Sequence, residues 1–453
     1  MCRGTAHGAP SALLNGPNYM DDTITCPDAE ATAGPRDPGP SPVHPLGSYN
    51  GRFYFFDHCG QLRKLSASSL RHHSVLISLF LGNAEWLRNR FPRFDGKFNW
   101  RKGFNTRECN SWLVDQCSRR GLFDPERLPA RRGHGVWPAS DTIAAHAGDR
   151  VIFMSRDSVA PEEYAAGLIV RGALWLQQPA RTPPAPASAA ATAQQVERMF
   201  GMWHWRNLGE ERIFTGLWAA GLLGAAIRWR AHGLLVGPAG SGKSTLLELH
   251  CALSPLATLA TDYTAPGVRQ LLTGHAAPLV LDVADEDPEA MDRLQAVLSM
   301  LRGAPSGDGA RVILGSGDGK PMACAFMSPA ILCGEVAPSL MPRDGAHITK
   351  MELMRIPDGA PVLPIEAMMA WAKQQAAGLW GRALDGIPRF RVNLATVRAA
   401  LLGRGCSPRL ADQLATILAA RAMMLDDEPL NATGAEEDAR AVSWLLQARL
   451  TRG

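Results

Sequence analysis

The residues with the most specific chemical signature lie near the middle of the 453-residue chain. Residues 237–245 match the pattern G-x-x-x-x-G-K-[ST], between an apolar strand-like run and a helix-like run. Glycines in this pattern let backbone N–H groups turn toward phosphate oxygens, and the N-terminus of the following helix adds partial positive charge. The sequence therefore predicts a phosphate-binding loop, or P-loop, made of Gly237, Pro238, Ala239, Gly240, Ser241, Gly242, Lys243, Ser244 and Thr245.

Three residues of this loop have individual predicted roles. Lys243 is expected to contact the β- and γ-phosphates of ATP, the Ser244 hydroxyl to ligate Mg²⁺, and Thr245 to lie near the α-phosphate. Lysine is scarce in this chain, since only 7 of its 47 basic residues are Lys. A lysine at the chemically decisive position of the motif therefore carries more weight than usual.

A second predicted strand ends in a carboxylate. Asp282 follows an apolar run that starts at Leu279, and it is expected to hold the same magnesium ion. The base that would activate water is less evident, because Val283 follows Asp282 and cannot accept a proton. Asp285 and Glu286 are the candidates for that base, and the alternative for both is a solvated acidic turn.

A basic stretch precedes the loop in the chain. Residues 51–135 contain 16 basic and 7 acidic residues, and within them residues 88–104 interleave basic with aromatic side chains. Phosphates attract the basic groups and bases stack on aromatic rings, so this stretch predicts contact with single-stranded DNA. The alternative is that the aromatic residues form a core under a basic surface. The residues predicted to contact nucleic acid are Arg88, Arg90, Arg93, Lys97, Trp100, Arg101 and Lys102.

Composition changes along the chain predict five segments. Residues 1–48 are expected to be a disordered tail, 49–178 a basic α+β module and 179–194 a linker rich in Pro and Ala. Residues 195–360 alternate apolar strands with helical patterns, which predicts an α/β core with a mostly parallel sheet flanked by helices. Residues 361–453 are predicted to be helical.

Composition also excludes some classes of protein. A hydrophobic content of 46% excludes a wholly disordered chain, and a net charge of +4 is too small for a general polycation. The nine cysteines contain no C-x-x-C pair, which favours reduced thiols. The longest apolar run, residues 216–227, is shorter than the roughly 20 residues of a membrane span. No signal-peptide pattern is present, so we expect a cytoplasmic protein without a membrane partner.

From residue 203 to about residue 425, the chain resembles the primase-helicase ATPases of phages, prophages and plasmids. The P-loop carries this resemblance together with Trp-His-Trp-Arg at residues 203–206, the run at 262–270, the strand at 278–282 and Ala-Pro-Ser-Gly at 304–307. The resemblance implies an AAA+-like P-loop core, Mg-ATP hydrolysis, action on DNA in replication, and a homo-oligomer such as a hexameric ring. A primase catalytic motif is not visible in the sequence.

Two departures from that family leave its activity open. The family normally has Glu where this chain has Val283, and a Ser-Arg pair where it has Ala346 and His347. Arg343 is the candidate substitute for the missing arginine finger, and a solvent-facing side chain is its alternative. Two functions are therefore expected: an ATP-hydrolysing, helicase-like protein of mobile-element origin, or a degraded prophage relative that binds nucleotide and DNA without hydrolysing ATP.

Overall fold

A computed structural model of the protein describes residues 38–58, 60–80, 83–94, 101–123, 131–139, 142–154, 162–167, 169–282, 288–301, 311–315, 321–337 and 347–445. The strands are β1 (His44–Tyr49), β2 (Arg52–Phe56), β3 (Leu62–Ser66), β4 (Pro92–Phe94), β5 (Arg101–Phe104), β6 (Arg131–Arg132), β7 (Gly135–Ala139), β8 (Thr142–His146), β9 (Arg150–Phe153), β10 (Glu162–Ala165), β11 (Ile169–Val170), β12 (Ala173–Trp175), β13 (His232–Val236), β14 (Thr258–Ala260), β15 (Leu279–Asp282), β16 (Arg311–Gly315), β17 (Pro321–Ala325), β18 (Ala330–Gly334) and β19 (Ile348–Glu352). The helices are α1 (His73–Leu79), α2 (Ala84–Arg90), α3 (Thr106–Arg120), α4 (Ala190–Phe200), α5 (Glu210–Leu223), α6 (Lys243–Ala252), α7 (Ala265–Leu272), α8 (Pro288–Leu301), α9 (Ile365–Asp385), α10 (Ile387–Gly403), α11 (Pro408–Leu425) and α12 (Ala432–Ala441).

The amino-terminal module begins with an antiparallel sheet in the order β1-β2-β3. β2 is the predicted aromatic strand, whereas β1 starts at His44, inside the segment predicted to be a disordered tail. β1 is ordered because its backbone pairs with β2, which satisfies groups that a free tail would leave to water. Helix α3 packs on these strands, and its first N–H groups are capped by the Asn105 side chain, which accepts from Arg107 and Glu108.

Aromatic side chains form much of this module's core. The ring of Trp86 stacks on that of Phe80 at a centroid distance of 5.3 Å and also meets the rings of Phe91 and Trp112. Phe91 and Phe104 are only 4% and 5% exposed. Two aromatic residues of the basic stretch are therefore core residues, and they are not available to stack on bases.

The central sheet of the described residues has the strand order β14-β15-β18-β13-β19, and all its strands are parallel. This confirms the prediction of an α/β protein with a parallel sheet. Residues Arg311–Gly315, within the segment predicted to alternate strands with helices, form β16, which pairs antiparallel with β17 outside the central sheet. A short apolar run does not specify its pairing partner, so its strand character was predictable and its neighbour was not.

The described residues of the carboxyl-terminal region form the helices α9, α10, α11 and α12. Its helices α10 and α11 pack on each other, and α11 also packs along α5 of the α/β core. At Gly216 of α5 an added Cβ would lie 2.3 Å from the Ile417 carbonyl oxygen, so these two helices approach closely. The hydrophobic core is continuous from the central sheet into α9, α10 and α11.

The segment 179–194, predicted to be a linker, is docked on α9. The backbone N–H groups of Ala185 and Ser188 donate to the carbonyls of Ala377 and Gly378, each at 3.0 Å. Helix α4 begins at Ala190, inside this segment. The composition of the segment predicted weak packing. Small residues also permit close backbone approach, and the backbone of this segment approaches that of α9 in this way.

Candidate functional site

The glycine-rich loop at residues 237–245 joins β13 to α6. Gly240 and Gly242 have φ angles of +74° and +81°, a region that side chains strongly disfavour. At Gly237 an added Cβ would lie 2.8 Å from the Leu353 carbonyl oxygen. The three motif glycines therefore stand where the backbone conformation or the close packing requires glycine.

A tryptophan that the sequence analysis did not assign to the site supports this loop. The Trp203 indole N–H donates to the Gly242 carbonyl at 3.0 Å, and Trp203 is almost fully buried. A side chain at Gly242 would collide with that indole. The sequence signal for Trp203 was its place in the Trp-His-Trp-Arg stretch at residues 203–206, which contributed to the family resemblance.

Lys243 points into the loop. Its ammonium donates to the Gly237 carbonyl at 2.5 Å and to the Pro238 carbonyl at 3.2 Å. Only 8% of the residue is exposed. The ammonium is therefore held by neutral acceptors, which an anionic oxygen would replace because it adds attraction between opposite charges to the hydrogen bond.

The two predicted magnesium ligands lie together. The Ser244 hydroxyl donates to Oδ2 of Asp282 at 2.8 Å, which joins the start of α6 to the end of β15. Magnesium is bound octahedrally by oxygen ligands at about 2.1 Å, which places neighbouring ligand oxygens about 3 Å apart. The hydroxyl and carboxylate oxygens have the chemistry and the spacing of two such neighbours, so this pair fits a magnesium ion.

A cavity of about 500 Å³ opens between the loop and the strand ends, a volume typical of small-ligand sites. Thr261 and Glu335 line this cavity but were not predicted from the sequence. Thr261 directly follows β14, and Glu335 directly follows β18. An acidic residue directly after an apolar strand was the available signal for Glu335. The described residues that line the cavity are Ala239, Gly240, Ser241, Gly242, Lys243, Ser244, Thr245, Thr261, Asp282 and Glu335.

Parallel pairing explains why these residues meet. The carboxyl ends of parallel strands lie at one edge of a sheet, where α/β proteins commonly bind ligands. In the central sheet Asp282 is in register with Cys333, and Val236, the last residue before the loop, is in register with Gly334. The glycine-rich loop, the Ser244–Asp282 pair and Glu335 are therefore adjacent because their strands are neighbours in the sheet.

Tyr263 interacts electrostatically with Asp282, a residue of the cavity. Burial raises its pKa to about 12, and the charge of Asp282 acts in the same direction. The phenol therefore stays protonated at neutral pH, so the charges that line the described part of the cavity are those of Lys243, Asp282 and Glu335.

Several predicted site residues lie outside the described part of the chain, namely Asp285, Glu286, Arg343, Lys97 and Trp100. His347, which the resemblance placed at the expected arginine-finger position, is described. It precedes β19 and stacks on the Trp229 ring at a centroid distance of 5.6 Å. That end of β19 is at the edge of the sheet opposite the cavity, about 16 Å away along a five-residue strand.

The predicted nucleic-acid residues cluster in the amino-terminal module. Arg88 and Arg90 are exposed in the last turn of α2, and Arg93 is exposed on β4. Arg101 and Lys102 belong to β5, which pairs with β4. These five residues therefore share one helix and strand-pair unit.

Comparison with known proteins gives one informative likeness. No family model and no curated protein matches the chain. Among solved structures, the chain is similar to "SCCmec type IV Cch - active helicase", with 12% sequence identity, a TM-score of 0.50, and coverage of 90% of this chain and 74% of that one. Two apo structures of the NrS-1 C-terminal region also match, each at 10% sequence identity. One has a TM-score of 0.39 and covers 76% of this chain and 66% of its own. The other has a TM-score of 0.38 and covers 75% of this chain and 65% of its own. At this identity the first match shows a shared, helicase-like fold.

Among the helices of the described residues, none combines the length and the apolar character needed to cross a bilayer.

In the part of the chain that the structure describes, Cys109 and Cys117 are buried free thiols. Burial raises the pKa of Cys109 to about 12 and that of Cys117 to about 11, so both stay protonated and unreactive.

Proposed function

We propose that this chain binds Mg-ATP in the cavity described above and hydrolyses it as a helicase-like ATPase that acts on DNA. The observation that carries the proposal is the convergence of Lys243, Ser244 and Asp282 on one cavity at the carboxyl edge of a parallel sheet. These residues are separated by up to 39 positions in the sequence. The helicase-like fold supports DNA as the partner.

In the proposed mechanism, the backbone N–H groups of the loop surround the phosphates, and the N-terminus of α6 adds its partial positive charge. Lys243 turns from the carbonyls of Gly237 and Pro238 to the β- and γ-phosphate oxygens, a short movement for a flexible side chain. Ser244 and Asp282 hold the magnesium ion, which neutralises phosphate charge. Trp203 keeps the loop in the conformation that these contacts need.

The direct test is Lys243→Ala, assayed by equilibrium binding of a fluorescent ATP analogue and by phosphate release with and without single-stranded DNA. We expect nucleotide affinity to fall by at least about tenfold and turnover to be lost, because charge-assisted hydrogen bonds contribute about 1.5–3 kcal/mol. Lys350→Ala is the matched control, since that lysine pairs with Glu352 on β19 and does not line the cavity. Unchanged nucleotide affinity in Lys243→Ala would reject the proposed site.

A second candidate function is a module that binds nucleotide and DNA without hydrolysing ATP. Val283 supplies no base after Asp282, and His347 stands where the family has an arginine finger. In GTPases, loss of an arginine finger lowers the rate of GTP hydrolysis about 10³–10⁵-fold. DNA-stimulated phosphate release by the unaltered chain would exclude this candidate, whereas nucleotide binding without release would favour it.

The proposed DNA partner is single-stranded, and the amino-terminal module is its proposed contact surface.

We also propose a homo-oligomeric ring. His347 lies at the edge of the sheet remote from the cavity of its own chain, so a residue at that position acts on nucleotide only in a neighbouring copy. A mobile-element origin, from a prophage or plasmid, and a cytoplasmic location complete this hypothesis.

A further inference from the structure

Glu335 occupies a particular place at the edge of the central sheet. It directly follows β18, the strand that lies between β15 and β13. Because Cys333 is in register with Asp282 and Gly334 with Val236, Glu335 leaves the sheet between the metal-ligand pair and the start of the glycine-rich loop. Its side chain lines the same cavity as Lys243.

Hydrolysis of ATP needs a group that accepts a proton from the attacking water. Val283 cannot do so, although it holds the position after the metal-binding carboxylate. Of the described residues that line the cavity, Asp282 and Glu335 are the carboxylates, and Asp282 already accepts from the Ser244 hydroxyl at 2.8 Å. Because Asp282 is the proposed magnesium ligand, Glu335 is the described carboxylate of the cavity considered for this step.

We propose that Glu335 is the general base of this ATPase, an inference that rests on the proposed function. Its carboxylate accepts one proton from water while the water oxygen bonds to the γ-phosphorus. The bond between that phosphorus and the β–γ bridging oxygen breaks, so ADP leaves with the electron pair and phosphate is formed. Glu335 then returns the proton to solvent, and no further reactant is needed.

A move of the base from one strand to the next is geometrically small. Neighbouring strands of a sheet lie about 4.8 Å apart, and β18 is the strand that pairs directly with β15. A carboxylate directly after β18 therefore lies about one strand spacing from the end of β15. In this chain the base is supplied by the strand between the metal pair and the loop, and Val283 is not required to act.

The test compares Glu335→Gln, Glu335→Asp and the unaltered chain for kcat and for Mg-ATP affinity. Removal of a general base lowers rates about 10²–10⁴-fold, so we expect at least a 100-fold loss of kcat in Glu335→Gln. Mg-ATP affinity should stay within about threefold, because glutamine keeps the size of the side chain. Glu335→Asp should retain more turnover than Glu335→Gln, because it still carries a carboxylate.

Glu352→Gln is the matched control. Glu352 ends β19 at the same edge of the sheet, but it pairs with Arg206 at 2.8 Å and does not line the cavity. Its kcat should equal that of the unaltered chain.

Two results with Glu335→Gln would overturn the inference and leave the binding site in place: a kcat within threefold of the unaltered value, or a loss of Mg-ATP affinity as large as that of Lys243→Ala. Nucleotide binding without hydrolysis by the unaltered chain would also overturn it. A large kcat loss in Asp285→Asn or Glu286→Gln, with Glu335→Gln unaffected, would assign the base there. Absence of nucleotide binding by the unaltered chain would instead reject the proposed function itself.

Discussion

Single residues of the glycine-rich loop have restricted conformations, which suit the proposed phosphate site. The Lys243 ammonium is buried against two carbonyls, and the loop conformation around it includes positive φ at Gly240 and Gly242. Little conformational entropy remains for Lys243 to lose on binding, because its side chain is already restricted. This preorganisation favours tight phosphate binding over the binding expected of an exposed lysine.

Buried histidines give the chain a pH-dependent stability. His146, His232 and His250 are at most 2% exposed, and burial lowers the pKa of each to about 3. In the unfolded chain their pKa is near 6.5, so below pH 6.5 the unfolded state binds more protons and the free energy of unfolding falls as pH falls toward 3. At pH 5 each histidine should remove about 2 kcal/mol, measurable by urea denaturation at pH 7 and pH 5.

The variant His250→Gln isolates one of these contributions. Glutamine does not titrate, so the loss of stability between pH 7 and pH 5 should be about 2 kcal/mol smaller than in the unaltered chain. Equal losses in the two chains would show that His250 is not kept neutral by burial.

Among the elements, α9 organises the docking of the segment before α4. Its Gly381 allows the Ala185 carbonyl to come so close that an added Cβ would lie 1.9 Å from that oxygen. Arg382, which is 4% exposed, completes the junction by donating to the carbonyls of Ser188 and Met424. This arginine is thus a structural cation, although most arginines on helices are surface charges.

Gly381→Ala tests this junction. The clash with Ala185 should lower the free energy of unfolding by about 1–3 kcal/mol, because the added carbon has no space without a backbone shift. Gly403→Ala at the end of α10 is the control, since its Cβ would meet no atom within 4 Å. It should be neutral or slightly stabilising. Equal thermal midpoints for the two variants would show that the segment is not held by α9.

The predictability of the elements depended on how local their signals are. The helices from α9 to α12 were predicted because periodicity and their terminal signals are set within a few residues. The strand β1 was missed because its order comes from pairing with β2 rather than from its own composition. The antiparallel pair β16 and β17 was missed for the same reason.

At the scale of the whole molecule, the basic module is fastened to the α/β core. The Gly133 N–H donates to the Gly274 carbonyl at 2.7 Å, and the Ala276 N–H donates to the His134 carbonyl at 2.8 Å. Residues 274–276 lead directly into β15, which ends at Asp282. Residues 133–134 of the basic module are therefore hydrogen-bonded to the segment that precedes β15 and its proposed magnesium ligand.

The triple variant Arg88→Ala, Arg90→Ala and Arg93→Ala tests the DNA surface. Each phosphate contact to a single strand contributes about −0.7 to the slope of log affinity against log salt, so loss of three contacts should flatten the slope by about 2. Fluorescence anisotropy of a labelled single-stranded oligonucleotide at several salt concentrations would measure it. Arg391→Ala with Arg409→Ala, two exposed arginines of the carboxyl-terminal helices, is the control. An unchanged slope in the triple variant would remove the amino-terminal module as the contact surface.

The sequence by itself determined the glycine-rich loop, because a contiguous motif with demanding backbone angles leaves few alternatives. Only the tertiary structure decided that Asp282 meets Ser244, that Phe91 serves the core, and that Glu335 enters the cavity. These outcomes depend on which strands become neighbours and which rings find packing partners, and residues far apart in sequence settle them.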